Sequence, residues 1–276
     1  MTTQAPAGSA RPIGIFDSGI GGLTVARAVA QRLPHERLVY FGDTAHLPYG
    51  EKSTAAIQAY SVKICDVLLR QHCKLILIAC NSASAAAYEL VREYVGSKAV
   101  VVGMIDPVVA HVGQHYAGRP MGLIGTKQTV GSNIYRKKID QLDLGVDLHA
   151  LATPLLIPMI EEGFANGRVS EEIIRAYLDH PALQSIDALL LACTHFPLIK
   201  PQIDAYYQGR VAVLDPSDVV AATVAEALAA RQLLVEAAET APMHHFYVSD
   251  FTRSFEESTR IFFGQEVQLE HYPLWE

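Results

Sequence analysis

The sequence predicts an α/β protein made of two similar parallel-sheet domains related by a pseudo-twofold axis, whose strand-end edges face each other across a cleft between them. Three observations lead there. An unbroken aliphatic run ending in Ala-Cys occurs twice, as Leu75-Ile76-Leu77-Ile78-Ala79-Cys80 and as Leu189-Leu190-Leu191-Ala192-Cys193. Runs this short and this apolar suit strands buried on both faces of a parallel sheet. Landmarks then recur at nearly constant offsets: 109 residues from Asp17 to Thr126, 113 from Cys80 to Cys193, and 109 from Asp106-Pro107 to Asp215-Pro216. An internal duplication explains that agreement better than chance. Finally, strand-like and helix-like stretches alternate as βαβαβαβ in the first half, the pattern of a parallel sheet covered on both faces.

Taken in order, Ile13 to Asp17 reads as a strand, and Ser18-Gly19-Ile20-Gly21-Gly22 as a Gly-rich turn opening a helix from Leu23 to Arg32. Free amides at such a turn can hold an anion, although the same glycines serve equally well for a tight turn alone. A strand from Arg37 to Gly42 leads into Gly42-Asp43-Thr44 and the turn Leu47-Pro48-Tyr49-Gly50, then a helix from Ser53 to about His72. The Cys80 strand, a helix from Ala83 to Tyr94 and a strand from Ala99 to Gly103 complete the first half. Gly122 to Thr126, the Cys193 strand and Val211 to Leu214 repeat the scheme. The tail reads as a helix from Asp218 to about Glu239, a strand from His244 to Val248, a helix from Phe251 to Phe263 and a strand from Glu266 to His271. It has no counterpart in the second half, so it is expected to return to the first. The domains are therefore expected at 1–103 plus 215–276, with 1–12 disordered, and at 104–214, with the Asp-Pro pairs as crossing points.

Half of the 276 residues are hydrophobic, enough for a substantial core. A net charge of -7 argues against a broad phosphate-binding surface, so no nucleic-acid partner is expected. The densest basic run, Arg136-Lys137-Lys138, reads as a solvated helix face. No apolar h-region precedes the first strand and no run approaches the ~18 residues of a membrane span, so a cytoplasmic location without membrane attachment is expected. Four cysteines without a secretion signal read as reduced thiols. Cys65 and Cys73 fall among helix-core residues, and His46, His111, His115 and His180 read as surface or supporting residues.

The carboxyl ends of parallel strands are where α/β folds bind ligands. Two equivalent thiols there, facing each other across a cleft, suit a reaction in which one group removes a proton from carbon and the other delivers one to the opposite face. A free thiol near pKa ~8.5 needs activation for this. Asp17, at the neighbouring strand end, is the candidate helper for Cys80, and His195 the helper for Cys193. Either thiol alone reads more simply as a small buried hydrophobe. A redox disulfide lacks Cys-x-x-Cys, and a metal site built on Cys80, Cys193 and His195 is disfavoured by the amide and hydroxyl residues beside them.

The stretches Asp17 to Val25, Gly42-Asp43-Thr44 with Pro48-Tyr49-Gly50, Ala79-Cys80-Asn81-Ser82-Ala83-Ser84, Gly125-Thr126 and Ala192-Cys193-Thr194-His195-Phe196-Pro197-Leu198 resemble the cofactor-independent aspartate/glutamate racemase family, and within it the glutamate racemases. The resemblance runs from about Ile13 to the C-terminus. It implies interconversion of L- and D-glutamate with no cofactor and no metal, Cys80 serving the D-enantiomer and Cys193 the L-enantiomer, assisted by Asp17 and His195. It further implies substrate contacts from Asp17, Ser18, Tyr49, Gly50, Asn81, Ser82, Thr194 and His195, with Thr126 near the substrate. A homodimer, and D-glutamate supplied for peptidoglycan synthesis, are implied as well. Ser82 stands where the family commonly has Thr, Thr153 where a Cys is common, and Glu161-Glu162 match a Glu-rich turn with no role assigned. An aspartate or other amino-acid racemase, or a non-catalytic amino-acid-binding protein on the same scaffold, remain alternatives.

Overall fold

The computed structural model describes residues 10–235, 242–251 and 253–276. The chain runs β1 (Ile13–Asp17), α1 (Leu23–Arg32), β2 (Leu38–Gly42), α2 (Thr54–Arg70), β3 (Leu75–Ile78), α3 (Asn81–Val95), β4 (Val100–Gly103) and α4 (Ile105–His115). It continues β5 (Pro120–Gly125), α5 (Lys127–Gly131), α6 (Ile134–Asp140), β6 (Asp147–Ala152), α7 (Leu156–Glu161), α8 (Arg168–Leu178), β7 (Ala188–Ala192), α9 (Lys200–Tyr207) and β8 (Ala212–Leu214). The last described elements are α10 (Ser217–Ala229), β9 (His245–Val248), α11 (Arg253–Phe263) and β10 (Leu269–His271).

Two all-parallel sheets result, ordered β10-β9-β2-β1-β3-β4 and β6-β5-β7-β8. The order second-first-third-fourth is common to β1–β4 and β5–β8, so the duplication expected from spacing is a duplication of topology. The tail strands β9 and β10 extend the first sheet beyond β2. The chain passes from the first sheet to the second through α4, which contains Asp106-Pro107. It returns through α10, which follows Asp215-Pro216, where Asp215 Oδ1 accepts the Ser217 amide at 2.9 Å.

The aliphatic runs are continuous because each strand is covered on both faces. Along β3, Leu75 and Leu77 join the apolar cluster that includes α1, α10 and the second sheet, whereas Ile76 and Ile78 join the cluster under α2 and α3. Cys65 and Cys73 are buried in the latter cluster, and burial pushes the Cys73 thiol up to about 12. A Cβ on Gly14 would meet Cys73 Sγ at 2.9 Å, so this thiol fills the space left by a glycine. Arg136 and Lys137 are exposed as expected of a solvated face, while Lys138 pairs with Asp106 at 2.5 Å.

Several boundaries differ from expectation, each for a local reason. Helix α3 starts at Asn81 rather than Ala83, because Cys80 is itself the N-cap and accepts the Ala83 amide on sulfur. Helix α10 ends at Ala229, beyond which Gln232 takes φ +56°; the expected extension to Glu239 runs into residues outside those described. The expected disorder of 1–12 also falls mainly outside them, although Arg11 is held by its Nε to the His72 carbonyl at 2.7 Å. Strand β10 begins at Leu269 rather than Glu266, after a turn in which Gly264 takes φ +88° and the Val267 amide bonds to Thr259 Oγ1. Among the described residues no helix is long and apolar enough to cross a membrane.

Candidate active site

Cys80 and Cys193 line one pocket at the facing strand ends of the two sheets. Ser18, Tyr49, Gly50, Asn81, Ser82, Thr126, Thr194 and His195 line it with them, so the structure gathers every residue singled out from sequence except Asp17. Asp17 lies behind Ser18 with no exposed surface. The cavity is about 20 Å³, roughly what a single water requires. Its walls are closed on one another.

Sheet register explains the pairing of groups. Phe16 is aligned with Ile78, which puts Asp17 level with Ala79 and one residue short of Cys80, so both side chains emerge at the same edge of the sheet. The Gly-rich turn that follows does gather amides around an anion, but the anion is the chain's own. Asp17 Oδ1 accepts the Gly22 amide at 3.2 Å, and the amides of Ser18 and Gly19 also favour its charge. Burial outweighs them and raises the carboxyl above the ordinary range, against the pull of the His195 charge. Asp17 Oδ2 is buried with no partner.

The Cys80 sulfur accepts the Ala83 amide at 3.4 Å and lies 3.8 Å from Ser18 Oγ. A helix N-terminus favours negative charge on such a group. Burial acts more strongly the other way, and the neighbouring Asp17 carboxylate adds to it, so Cys80 is held as the protonated thiol well above neutral pH.

The other thiol has different neighbours. Cys193 Sγ lies 3.9 Å from His195 Nδ1, and His195 Nε2 lies 2.9 Å from Glu161 Oε1. Burial opposes a charge on the ring, but the hydrogen bonds to Cys193 and Glu161 overcome it and raise His195 to about 10. The ring is cationic at neutral pH and is fixed in orientation by Glu161. It packs against Gly21 so closely that a Cβ there would come within 2.3 Å of its Cε1. Thr24 Oγ1 donates to the Thr194 carbonyl at 2.9 Å, tying α1 to the same loop.

A chain of hydroxyls closes the gap between the sheets. Ser82 Oγ lies 2.9 Å from Thr126 Oγ1, which caps α5 by accepting the Thr129 amide at 3.1 Å. Serine at position 82 thus keeps the hydroxyl contact. Asn81 Oδ1 accepts from the buried Tyr135 hydroxyl at 2.8 Å, while its Nδ2 is buried without a partner. A Cβ on Gly50 would meet Thr126 Cβ at 2.7 Å, so only glycine permits this approach of the Tyr49-Gly50 turn. Thr153 bonds to the Gly125 carbonyl at 3.4 Å and does not line the pocket.

Sequence reading left Glu161 without a role and passed over Tyr135 and Asp43. Glu161 stands 34 residues before His195 at the end of a short helix, and no local pattern announces the contact. Asp43 belongs to a quoted motif, and its buried carboxylate accepts the Tyr49 hydroxyl at 2.6 Å. Among the described residues no three of His, Cys, Asp and Glu converge in a way that could hold a metal ion.

Comparison with known proteins bears on this arrangement. Residues 23–224 match the model of the Asp/Glu/hydantoin racemase family. The chain is 39% identical over 264 residues to a glutamate racemase of Chlorobaculum tepidum, covering 96% of each. In structure it is similar to glutamate racemase from Francisella tularensis in complex with D-glutamate, with a TM-score of 0.90, 35% identity and coverage of 97% of this chain and 99% of that one. It is also similar to glutamate racemase from Thermus thermophilus in complex with beta-chloro-D-alanine, with a TM-score of 0.84 at 37% identity, covering 96% and 97% of the two chains. The chain belongs to the Asp/Glu/hydantoin racemase family and is an amino-acid racemase.

Proposed function

We propose that the protein interconverts L- and D-glutamate by two-thiol proton transfer at Cα, without a cofactor. The observation that carries the reading is that two thiols from equivalent strand ends line one pocket. The substrate follows the relatives, which are named glutamate racemases, one of them in complex with D-glutamate.

In the L-to-D direction Cys193, as the thiolate beside the His195 cation, takes the α-proton. The Cys80 thiol delivers its own proton to the opposite face. The cycle leaves Cys193 protonated and Cys80 as thiolate, which is the starting state for D-to-L. The carbanion is the costly species, and fixed donors at the substrate carboxylate lower its energy. Two unpartnered buried groups match an α-amino acid in chemistry: Asn81 Nδ2 as donor to the carboxylate and Asp17 Oδ2 as acceptor for the ammonium. An ammonium at Asp17 also offsets the charge that holds the Cys80 proton, easing its release in the transition state. Ser18, Tyr49, Gly50, Ser82, Thr126 and Thr194 enclose the ligand when the walls part and reclose. Cytoplasmic location, homodimer assembly and supply of D-glutamate for peptidoglycan belong to the same reading and rest on the family resemblance.

The test is incubation with L-glutamate in D2O, in the presence of chelator and reductant, following optical rotation and the α-proton signal. Loss of rotation with deuterium at Cα is the expected result. Persistence of both signals while L-aspartate racemises would reassign the substrate, and inertness of a folded, reduced sample toward both would remove the racemisation reading.

A further inference from the structure

Trp275, the one tryptophan of the chain, is far from both thiols in sequence, yet it is tied to the pocket through a single buried carboxylate. Asp43 follows β2 and has no exposed surface. Its Oδ1 accepts from Trp275 Nε1 and from Ser249 Oγ, both at 2.7 Å, and its Oδ2 accepts from the Tyr49 hydroxyl at 2.6 Å. His46 Nδ1 lies 3.0 Å from the same Oδ2. The indole meets the His46 ring edge-on at 4.5 Å, His46 stacks on Tyr60 at 4.0 Å, and Lys63 Nζ lies 4.5 Å from the indole centroid. Tail segments therefore grip the loop 43–51 from outside, and that loop carries the Tyr49-Gly50 turn pressed against Thr126 at the pocket.

We propose that Trp275, acting through Asp43, is a positioning residue that holds the Tyr49-Gly50 turn in the conformation that encloses the substrate. Hydrogen bonds to a buried carboxylate are among the stronger ones, and each donor removed leaves part of that charge unsatisfied. With the Trp275 donor gone, Asp43 keeps Ser249, Tyr49 and His46, and Thr44 and Ala45 keep their bonds to Asp250 and Ser249, but the loop loses its link to the C-terminal segment. The turn then samples positions away from Thr126. Enclosure contributes to binding in ground and transition states alike, so its loss appears in KM rather than kcat. The inference rests on the pocket being the racemase site, and one of its measurements does not depend on turnover.

The experiment compares wild type with Trp275→Phe, which keeps an aromatic ring against His46 and Tyr60 but removes the Nε1–H. Hydrogen exchange should quicken at the amides of 44–51 while β1 and β3 are unchanged. KM for L-glutamate should rise roughly tenfold, with kcat within about twofold of wild type. Unchanged exchange at 44–51, or exchange raised throughout the sheet, overturns the proposal, as does an unchanged KM in an active enzyme. If the wild type racemises nothing, the function fails and the exchange measurement alone decides the clasp. Should Trp275→Phe not fold, Ser249→Ala, which removes the other donor to Asp43 Oδ1 and with it the acceptor of the Ala45 amide, should quicken exchange at 44–51 and raise KM at least as much.

Discussion

At the end of β3, Cys80 caps a long helix, and its sulfur sits beside the buried Asp17 carboxylate. At the end of β7, Cys193 is followed by a 3-10 turn, Phe196–Ile199, and its sulfur sits beside an imidazolium backed by Glu161. Topology is the same on the two sides, and the electrostatics are opposite. Burial, with the Asp17 anion adding to it, keeps one thiol protonated, while the other has a cation beside it in place of an anion. The lesson is that a duplicated scaffold supplies matched positions, and single neighbours at positions 17, 161 and 195 turn those positions into a donor and an acceptor.

The largest expected effects come from deleting one side at a time. Cys80→Ala and Cys193→Ala should each lower racemisation by on the order of 10³-fold or more, as for removal of an acid or base in proton transfer. L- and D-enantiomers have equal free energy, so kcat/KM must fall by the same factor in both directions. The sides are separated instead by exchange in D2O. Cys80→Ala should wash deuterium into L-glutamate without inverting it and leave D-glutamate untouched, and Cys193→Ala should do the reverse. Exchange of the opposite enantiomer by either variant would swap the assignment of the two thiols.

A smaller effect is expected at Gly21, where the three atoms nearest an added Cβ belong to His195 and Thr194 on the Cys193 side. Gly21→Ala puts a methyl group where His195 Cε1 lies 2.3 Å away, so the ring must leave its place beside Cys193. Overpacking of this kind costs about 1–3 kcal/mol in stability, and a displaced helper about 10²-fold in rate. Thermal unfolding and steady-state kinetics measure the two losses. A variant with full activity would mean that His195 is not needed where it stands.

The smallest effect concerns Glu161. Folding raises His195 from its ordinary value near 6.5 to about 10, so the cation binds its proton more tightly in the folded state. The stabilisation this provides is fully present below about 6.5 and is lost as pH rises through about 10. Glu161→Gln removes one of the two partners that raise the ring. Denaturant midpoints should therefore fall off at lower pH in the variant than in wild type, with activity reduced by roughly tenfold. Coincident pH profiles would assign the raised His195 to Cys193 alone.

Much of this was legible before any coordinates. The aliphatic runs before Cys80 and Cys193 reveal their strands because burial on both faces leaves no polar positions to interrupt them. Register then brings Asp17 beside Cys80, and two-residue spacing brings His195 beside Cys193. Glu161 was not legible as a partner, since helix α8 and strand β7 separate it from His195 and no periodic signature links the two. The Asp43–Trp275 bond spans 232 residues and is invisible to any local reading. The Gly-rich turn was legible only as a tight turn or an anion site, and composition could not say that its amides would gather around Asp17.

The closed cavity has a consequence for anything designed to occupy it. A 20 Å³ space admits no amino acid, so ligands meet the protein only in the fraction of molecules whose walls have parted. Where parting precedes binding, apparent affinity is lower than intrinsic affinity by that fraction. An inhibitor that wedges the walls open bears this cost in full, whereas a substrate mimic over which the walls reclose recovers part of it through contacts such as Ser82 with Thr126.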